Sequence, residues 1–474
     1  MTLVVSRPSS ARFMRRRIPL AGAVVFLIAC SSFLWKIDRE PHFIDESAYI
    51  SQTYFFTLLS EGKIDDPAWI EYPAVDLPPL PKYLIGMFLA QAGERIPGRD
   101  AARAWYLDQS IRCENDAMLR IARYPTVLLG GIGCAAIFAI GRIVWGRTSA
   151  GLFAAFFLAI NPLYRLHARR AMADVPAEAM ILCSIAIAAW AWRAAIQASS
   201  GSPNGSPNTP RLSVAKRLSA WVVAGGFAGL AVLAKLNGGL GLMTIGAIAV
   251  WGAVAPRRSR AKRLEFLASA ILASAAAFIA FAALNPTVYA RPVGASPRAY
   301  PGTLNQGIID RCKTIIDHRI EVSRIALSRF PSDALPTLRD KCEVFLVQGF
   351  GRFGPFGPAR SDSRIRFDFK QDRGASLWAP IVLAGLVLAA IRGFGRSEET
   401  RSADLSAPPG TQILIIQTLV AWTTVVLFLP LAWDRYLLSI QPAAALAAAG
   451  FIDSVARFAL SVVRFAADSR GGVR

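Results

Sequence analysis

Asp45 and Glu46 are adjacent carboxylates in Pro41-His42-Phe43-Ile44-Asp45-Glu46-Ser47-Ala48-Tyr49, directly beyond the first long apolar run. Flanked by Phe43, Tyr49, Tyr54 and Phe55, they offer a base in a partly apolar setting and a second acid that binds a hydroxyl or orients the first. A solvated pair of loop acids is an equally ordinary reading of the dipeptide alone. Downstream, Pro78-Pro79-Leu80-Pro81-Lys82-Tyr83 fixes an extended approach and presents a lysine at the start of an apolar segment. Such a cation suits a phosphate headgroup, and equally a snorkelling place at the membrane interface.

Three further stretches carry charge at the ends of apolar runs. In His167-Ala168-Arg169-Arg170-Ala171-Met172-Ala173-Asp174, two arginines stand where topology disfavours them, which an anionic ligand or an Arg–Asp pair explains. Lys235 opens the tight turn Lys235-Leu236-Asn237-Gly238-Gly239, as a phosphate contact or an interfacial anchor. Trp433-Asp434-Arg435-Tyr436 makes a similar turn near the end of the chain, where a structural ion pair competes with a functional one.

Positioning these residues requires a membrane. The 474 residues are 54% hydrophobic and 18% charged, and the apolar residues come in blocks long enough to cross a bilayer. The net charge of +21 falls in short Lys/Arg clusters at span ends, so positive-inside topology explains it without a nucleic-acid partner. The expected fold is an all-α polytopic membrane protein with about ten transmembrane helices and juxtamembrane helices in two long external loops. Residues 1–17 form a cytoplasmic N-terminus and 18–35 the first span, a removable signal or lipoprotein leader ending at Cys30 being the competing reading. Residues 36–123, with 14 of the 32 acidic residues, form the first external loop, in which Leu80 to Ala92 is expected to lie on the bilayer. Spans two to seven occupy 124–285 with a cytoplasmic linker at 196–217. A second external loop covers 286–375, with an amphipathic helix marked by Ile309, Cys312, Ile316 and Ile320 and a mobile Gly/Phe/Arg stretch from Gly349 to Arg360. The last three spans fill 376–455, ahead of a cytoplasmic tail, 456–474. This topology puts Asp45, Glu46, Lys82, Asp174, Lys235 and Asp434-Arg435 on one side of the membrane, the outer face of a cytoplasmic (inner) membrane.

The six cysteines lack metal-ligand spacing, and the three histidines, His42, His167 and His318, are too scattered to argue for zinc. A bridge between Cys312 and Cys342 is left open. No Walker loop, dinucleotide fingerprint or Ser-His-Asp order is present.

In the order and spacing of these motifs the chain resembles the GT-C superfamily of membrane glycosyltransferases, in the branch of protein O-mannosyltransferases and lipid A aminoarabinose transferases. The matching parts are Phe43-Ile44-Asp45-Glu46 with Tyr49, Pro78-Pro79-Leu80-Pro81-Lys82, Arg123, Gly141-Arg142, Ala168-Arg169 through Asp174, Gly229-Leu230-Ala231 through Lys235, and Asp434-Arg435-Tyr436-Leu437. The resemblance implies an inverting transfer of a sugar from a polyprenyl-phosphate donor to an external hydroxyl on protein, lipid or glycan. It assigns Asp45 as general base, with Glu46 and Asp174 beside it. Lys82, Lys235, Arg169, Arg170 and Arg435 become the binders of the donor phosphate, and Tyr49 and Tyr83 contacts to substrate. No cofactor is required, and a divalent metal is compatible with the scheme. Leu77 stands where mannosyltransferases often have His and aminoarabinose transferases Lys, so sugar and acceptor are not specified. The rival reading is a transporter or flippase for an anionic amphiphile or lipid-linked sugar, which calls for charges at mid-membrane depth and an internal repeat.

Overall fold

Where water is excluded, backbone polar groups must pair within their own segment, so apolar runs of this length fold as helices. The computed structural model describes residues 10–198, 212–256, 258–292, 298–301, 303, 305–355, 373–394 and 410–471. Of the expected linker at 196–217, residues 199–211 lie outside the described residues, as does the part of the Gly/Phe/Arg stretch beyond residue 355, while 214–217 belong to a helix. The helices are α1 (Ser10–Leu34), α2 (Ile44–Ser51), α3 (Tyr54–Ser60), α4 (Tyr72–Asp76), α5 (Pro79–Gln91), α6 (Arg99–Leu107), α7 (Asp116–Trp145), α8 (Thr148–Ile160), α9 (Pro162–Ala168), α10 (Asp174–Gln197), α11 (Val214–Ala234), α12 (Gly239–Val254), α13 (Arg260–Ala283), α14 (Ile308–Arg329), α15 (Leu338–Leu346), α16 (Arg373–Phe394), α17 (Thr411–Phe428) and α18 (Gln441–Gly471). Among the described residues, eight helices are long and apolar enough to span a bilayer, and α8 with α9 makes a ninth that bends by 67°. Pro19–Leu34 adds a shorter apolar helix. The chain is an all-α polytopic membrane protein.

Sequence explains the bend between α8 and α9. Pro162 cannot continue the ladder of α8, and Asn161 accepts a hydrogen bond from the Tyr164 amide at 3.0 Å to start α9. The Asn161 amide also donates to the Phe353 carbonyl (2.8 Å) and to Gln441 Oε1 (2.9 Å), which fixes the break against the second external loop and the start of α18.

Small residues let the spans that carry site residues approach closely. On α11, a Cβ at Gly225 or Gly229 would lie within 2.2 Å of the Ala273 or Ala277 backbone of α13. At the end of α11, a Cβ at Gly238 would sit 2.1 Å from the Ala231 carbonyl, so the turn after Lys235 is tight only because glycine occupies it.

The first long polar segment is a packed unit. The helix α5 is held against α7, α3 and α2 on one face, with Leu80, Tyr83, Ile85 and Leu89 buried, and Leu84, Met87 and Phe88 are only partly covered. The second loop is pinned to the first by the Tyr300 amide on the Ile70 carbonyl (2.7 Å), and to residues 430–433 by Leu335 on Pro430 (3.1 Å) and Ala432 on Asp333 (2.8 Å). Its amphipathic helix forms as α14, and Cys312 and Cys342 are both free thiols.

Candidate active site

The site is built outward from a buried ion pair. Glu46, fully buried in the first turn of α2, accepts from Arg123 Nε and Nη2 at 2.8 Å each, from the Phe43 amide at 3.0 Å and from the Ala171 amide at 2.8 Å. Arg123 of α7 spends its remaining donors on the carbonyls of Ile37 (3.0 Å), Glu40 (3.0 Å) and Pro41 (3.3 Å). A carboxylate with four partners has no lone pair left for a substrate. Glu46 therefore holds α2, the chain before it and the 171 turn together, a supporting role rather than a reactive one. Ser47 adds a second tie by donating to Glu114 Oε2 at 2.8 Å, and His42 lies 2.8 Å from Glu114 Oε1.

Asp45, the next residue along α2, faces the other way. It forms an ion pair with Arg435, whose guanidinium also stacks 4.6 Å from the Trp433 ring. Both side chains remain partly open, at 30% and 23% exposure. Next to this pair, Asp174 at the start of α10 receives Lys235 Nζ at 2.6 Å. The carboxylate is 4% exposed and the lysine 23%, so the cation is the reachable partner. His167, 1% exposed, lies between Asp174 (Nδ1 to Oδ2, 4.0 Å) and Asp434 (Nε2 to Oδ1, 3.7 Å). Tyr49 completes the group. Burial pushes its phenol up, Asp174 and Asp45 push it further, and Arg319 and Arg435 pull against them.

A second carboxylate centre adjoins the first through Arg319. Asp76 accepts from the Tyr106 hydroxyl at 2.6 Å and lies 3.5 Å from both His318 Nε2 and Arg319 Nη1 of α14. Burial alone raises this carboxyl, but His318, Arg319 and Tyr106 outweigh it and hold Asp76 below the ordinary carboxylate range. The Tyr300 hydroxyl sits 3.1 Å from His318 Nδ1, beside a cavity of about 440 Å³ lined by Tyr300, Thr314, Asp317, His318 and Glu321.

Of the expected site residues, Asp45, Asp174, Lys235, Arg435 and Tyr49 come together. Lys82 does not. It is 1% exposed, donates to the Pro73 carbonyl at 2.8 Å and lies 4.5 Å from the Phe55 ring centre, under the loop and not on its surface. Burial drives its ammonium well below the usual lysine value, with Asp76 opposing. A lysine whose value is lower in the folded than in the unfolded chain leaves the unfolded chain the better proton binder between the two values, so stability rises with pH across that interval. Lys82→Met is expected to flatten that rise in thermal unfolding as the pH climbs toward the value of a free lysine, and to leave binding of a lipid phosphate unchanged. Tyr83 likewise packs in an apolar cluster with Tyr54, Phe55 and Trp69, its hydroxyl without a partner. Arg169 donates to the carbonyls of Phe33 (3.1 Å), Ser32 (3.3 Å) and Trp35, capping the end of α1, and is spent there. Arg170 reaches Glu40 at 3.4 Å and stacks on Phe43 at 4.4 Å. The arginines that break the charge rule are thus satisfied by carbonyls, an acid and a ring. His167 and Asp434 lay inside motifs already noted, whereas His318 and Arg319 had no sequence signal beyond the polar face of α14.

No family model matches the chain, and no curated protein sequence does. Solved structures do. The Archaeoglobus fulgidus oligosaccharyltransferase in its apo form superposes with a TM-score of 0.52 at 14% identity, over 94% of this chain and 52% of that one. The same enzyme in complex with zinc and sulfate gives 0.50 at 14% identity, over 93% and 50%. ArnT from Cupriavidus metallidurans bound to undecaprenyl phosphate gives 0.46 at 15% identity, over 91% and 60%. The chain spans between half and three fifths of the length of these structures. At such identities the likeness is one of architecture: the chain shares the helical membrane fold of the Archaeoglobus fulgidus oligosaccharyltransferase.

Proposed function

We propose that the protein is an inverting membrane glycosyltransferase that moves a sugar from a polyprenyl-phosphate donor to a hydroxyl acceptor on the external face of the membrane. The observation that carries this reading is the meeting of Asp45, Asp174 and Asp434 with Arg435, Lys235 and His167 at span ends drawn from α2, α9, α10, α11 and the turn before α18. Acceptor and sugar stay open in class.

In the reaction, Asp45 takes the acceptor's hydroxyl proton as its oxygen bonds to the anomeric carbon. The bond from that carbon to the phosphate oxygen breaks on the opposite face, and the lipid phosphate leaves with the electron pair. Lys235 and Arg435 receive the charge that develops on it. Both cations are paired with carboxylates here, so donor binding draws Arg435 from Asp45, and the base is uncovered when the leaving group is in place. Among the described residues no three His, Cys, Asp or Glu side chains group as metal ligands, and no step is assigned to a metal.

The test uses the purified protein in lipid vesicles with labelled polyprenyl-phosphate sugars, following label into acceptor and donor binding by tryptophan fluorescence. Transfer of at least one donor is expected, with Lys235→Ala and Arg435→Ala each weakening donor binding roughly 10- to 100-fold, the scale of a lost charge-assisted contact. No transfer from any such donor, together with no binding of the bare lipid phosphate, sinks the proposal.

A further inference from the structure

His167 is the least explained polar group in the bundle. It is 1% exposed and, among the described residues, both ring nitrogens lack a hydrogen-bond partner, yet each points at a carboxylate: Nδ1 at Asp174 Oδ2, 4.0 Å away, and Nε2 at Asp434 Oδ1, 3.7 Å away. A buried histidine that serves packing alone pairs at least one nitrogen, since an orphan donor or acceptor costs stability. The two carboxylates are not equivalent. Asp174 is 4% exposed and already holds Lys235 on its other oxygen, Oδ1, at 2.6 Å, while Asp434 is 18% exposed and takes the Arg435 amide at 2.6 Å.

This arrangement bears on a difficulty that donor binding creates. If Lys235 leaves Asp174 for a phosphate, a carboxylate out of reach of water loses its cation, and an unpaired charge in that setting is strongly disfavoured. Asp174 would then pull Lys235 back and weaken the site for its ligand. A second cation on the vacated carboxylate removes the penalty. We infer that His167 is a positioning residue for the reaction: as imidazolium, a donor at both nitrogens, it closes on Asp174 when Lys235 moves to the donor phosphate, and Asp434 holds it from the other side. In the resting structure it stands a little beyond hydrogen-bond distance because Lys235 already fills the need. The inference rests on the proposed function, in which Lys235 serves the phosphate.

A double-mutant cycle tests it on the full-length protein in vesicles, with unlabelled polyprenyl phosphate as the probe and its dissociation constant as the readout. His167→Phe is expected to weaken binding roughly tenfold in the wild-type background. In Asp174→Asn, which has no charge to leave behind, the same change is expected to alter binding less than about twofold. A residue that matters only for packing gives the same loss in both backgrounds, and that result overturns the inference while leaving the glycosyltransferase reading intact. Unchanged affinity in His167→Phe overturns it as well. Should the phenylalanine variant not fold, His167→Gln, which keeps a single donor, is read in the same cycle with the same sign expected. Absence of polyprenyl phosphate binding by the wild type removes the proposed function and this inference with it.

Discussion

Asp45→Asn is expected to lower turnover by roughly 10²- to 10⁴-fold, the contribution of a positioned general base, while thermal stability in detergent stays within about 0.5 kcal/mol of wild type. The side chain is partly open and its one ion pair is with an arginine that also stacks on Trp433, so the fold does not depend on it. Donor affinity supplies the discriminating readout. Because Asn cannot hold Arg435 as an ion pair, the guanidinium is free to meet a phosphate, and binding of polyprenyl phosphate is expected to stay equal or tighten. Loss of turnover with affinity kept marks Asp45 as the base. Retained turnover removes it from that role, and lost affinity would make it a structural partner of Arg435 instead.

Arg123→Met is expected to destabilise the fold by about 3–5 kcal/mol, because it strands a buried carboxylate. Glu46 has no exposure at all, and the arginine also serves the carbonyls of Ile37, Glu40 and Pro41, so one substitution unties the end of α1, the start of α2 and the 171 turn. Adding Glu46→Gln to Arg123→Met is expected to recover part of the loss, since the amide needs no counter-charge. Thermal unfolding of the two variants decides the point: equal stability in single and double variants shows that the carbonyl contacts, and not the ion pair, are what matters.

The sequence reading reached the membrane spans because hydrocarbon permits few alternatives, and Arg/Lys clusters at span ends report sidedness. Asp45, Asp174, Lys235 and Arg435, which the fold brings together, stood out in the sequence because each lies where an apolar run gives way to charge. Lys82 shows where such reading stops. A lysine after a proline-led approach looks the same on paper whether it meets a ligand or folds under Phe55, and only the packing of α3 on α5 separates the two. Arg169 fails for a related reason: the unpaired carbonyls at the end of α1 are an anionic partner that residue types do not reveal. Arg319 and His318 were out of reach because α14 meets Asp76 through a fold-level contact between two loops more than 200 positions apart.

The Asp45–Arg435 pair joins positions separated by 390 residues. During synthesis the amino-terminal spans enter the bilayer long before residue 435 leaves the ribosome. A nascent chain thus carries Asp45 without the guanidinium that pairs with it, and the ion pair forms only after the last helices have been made.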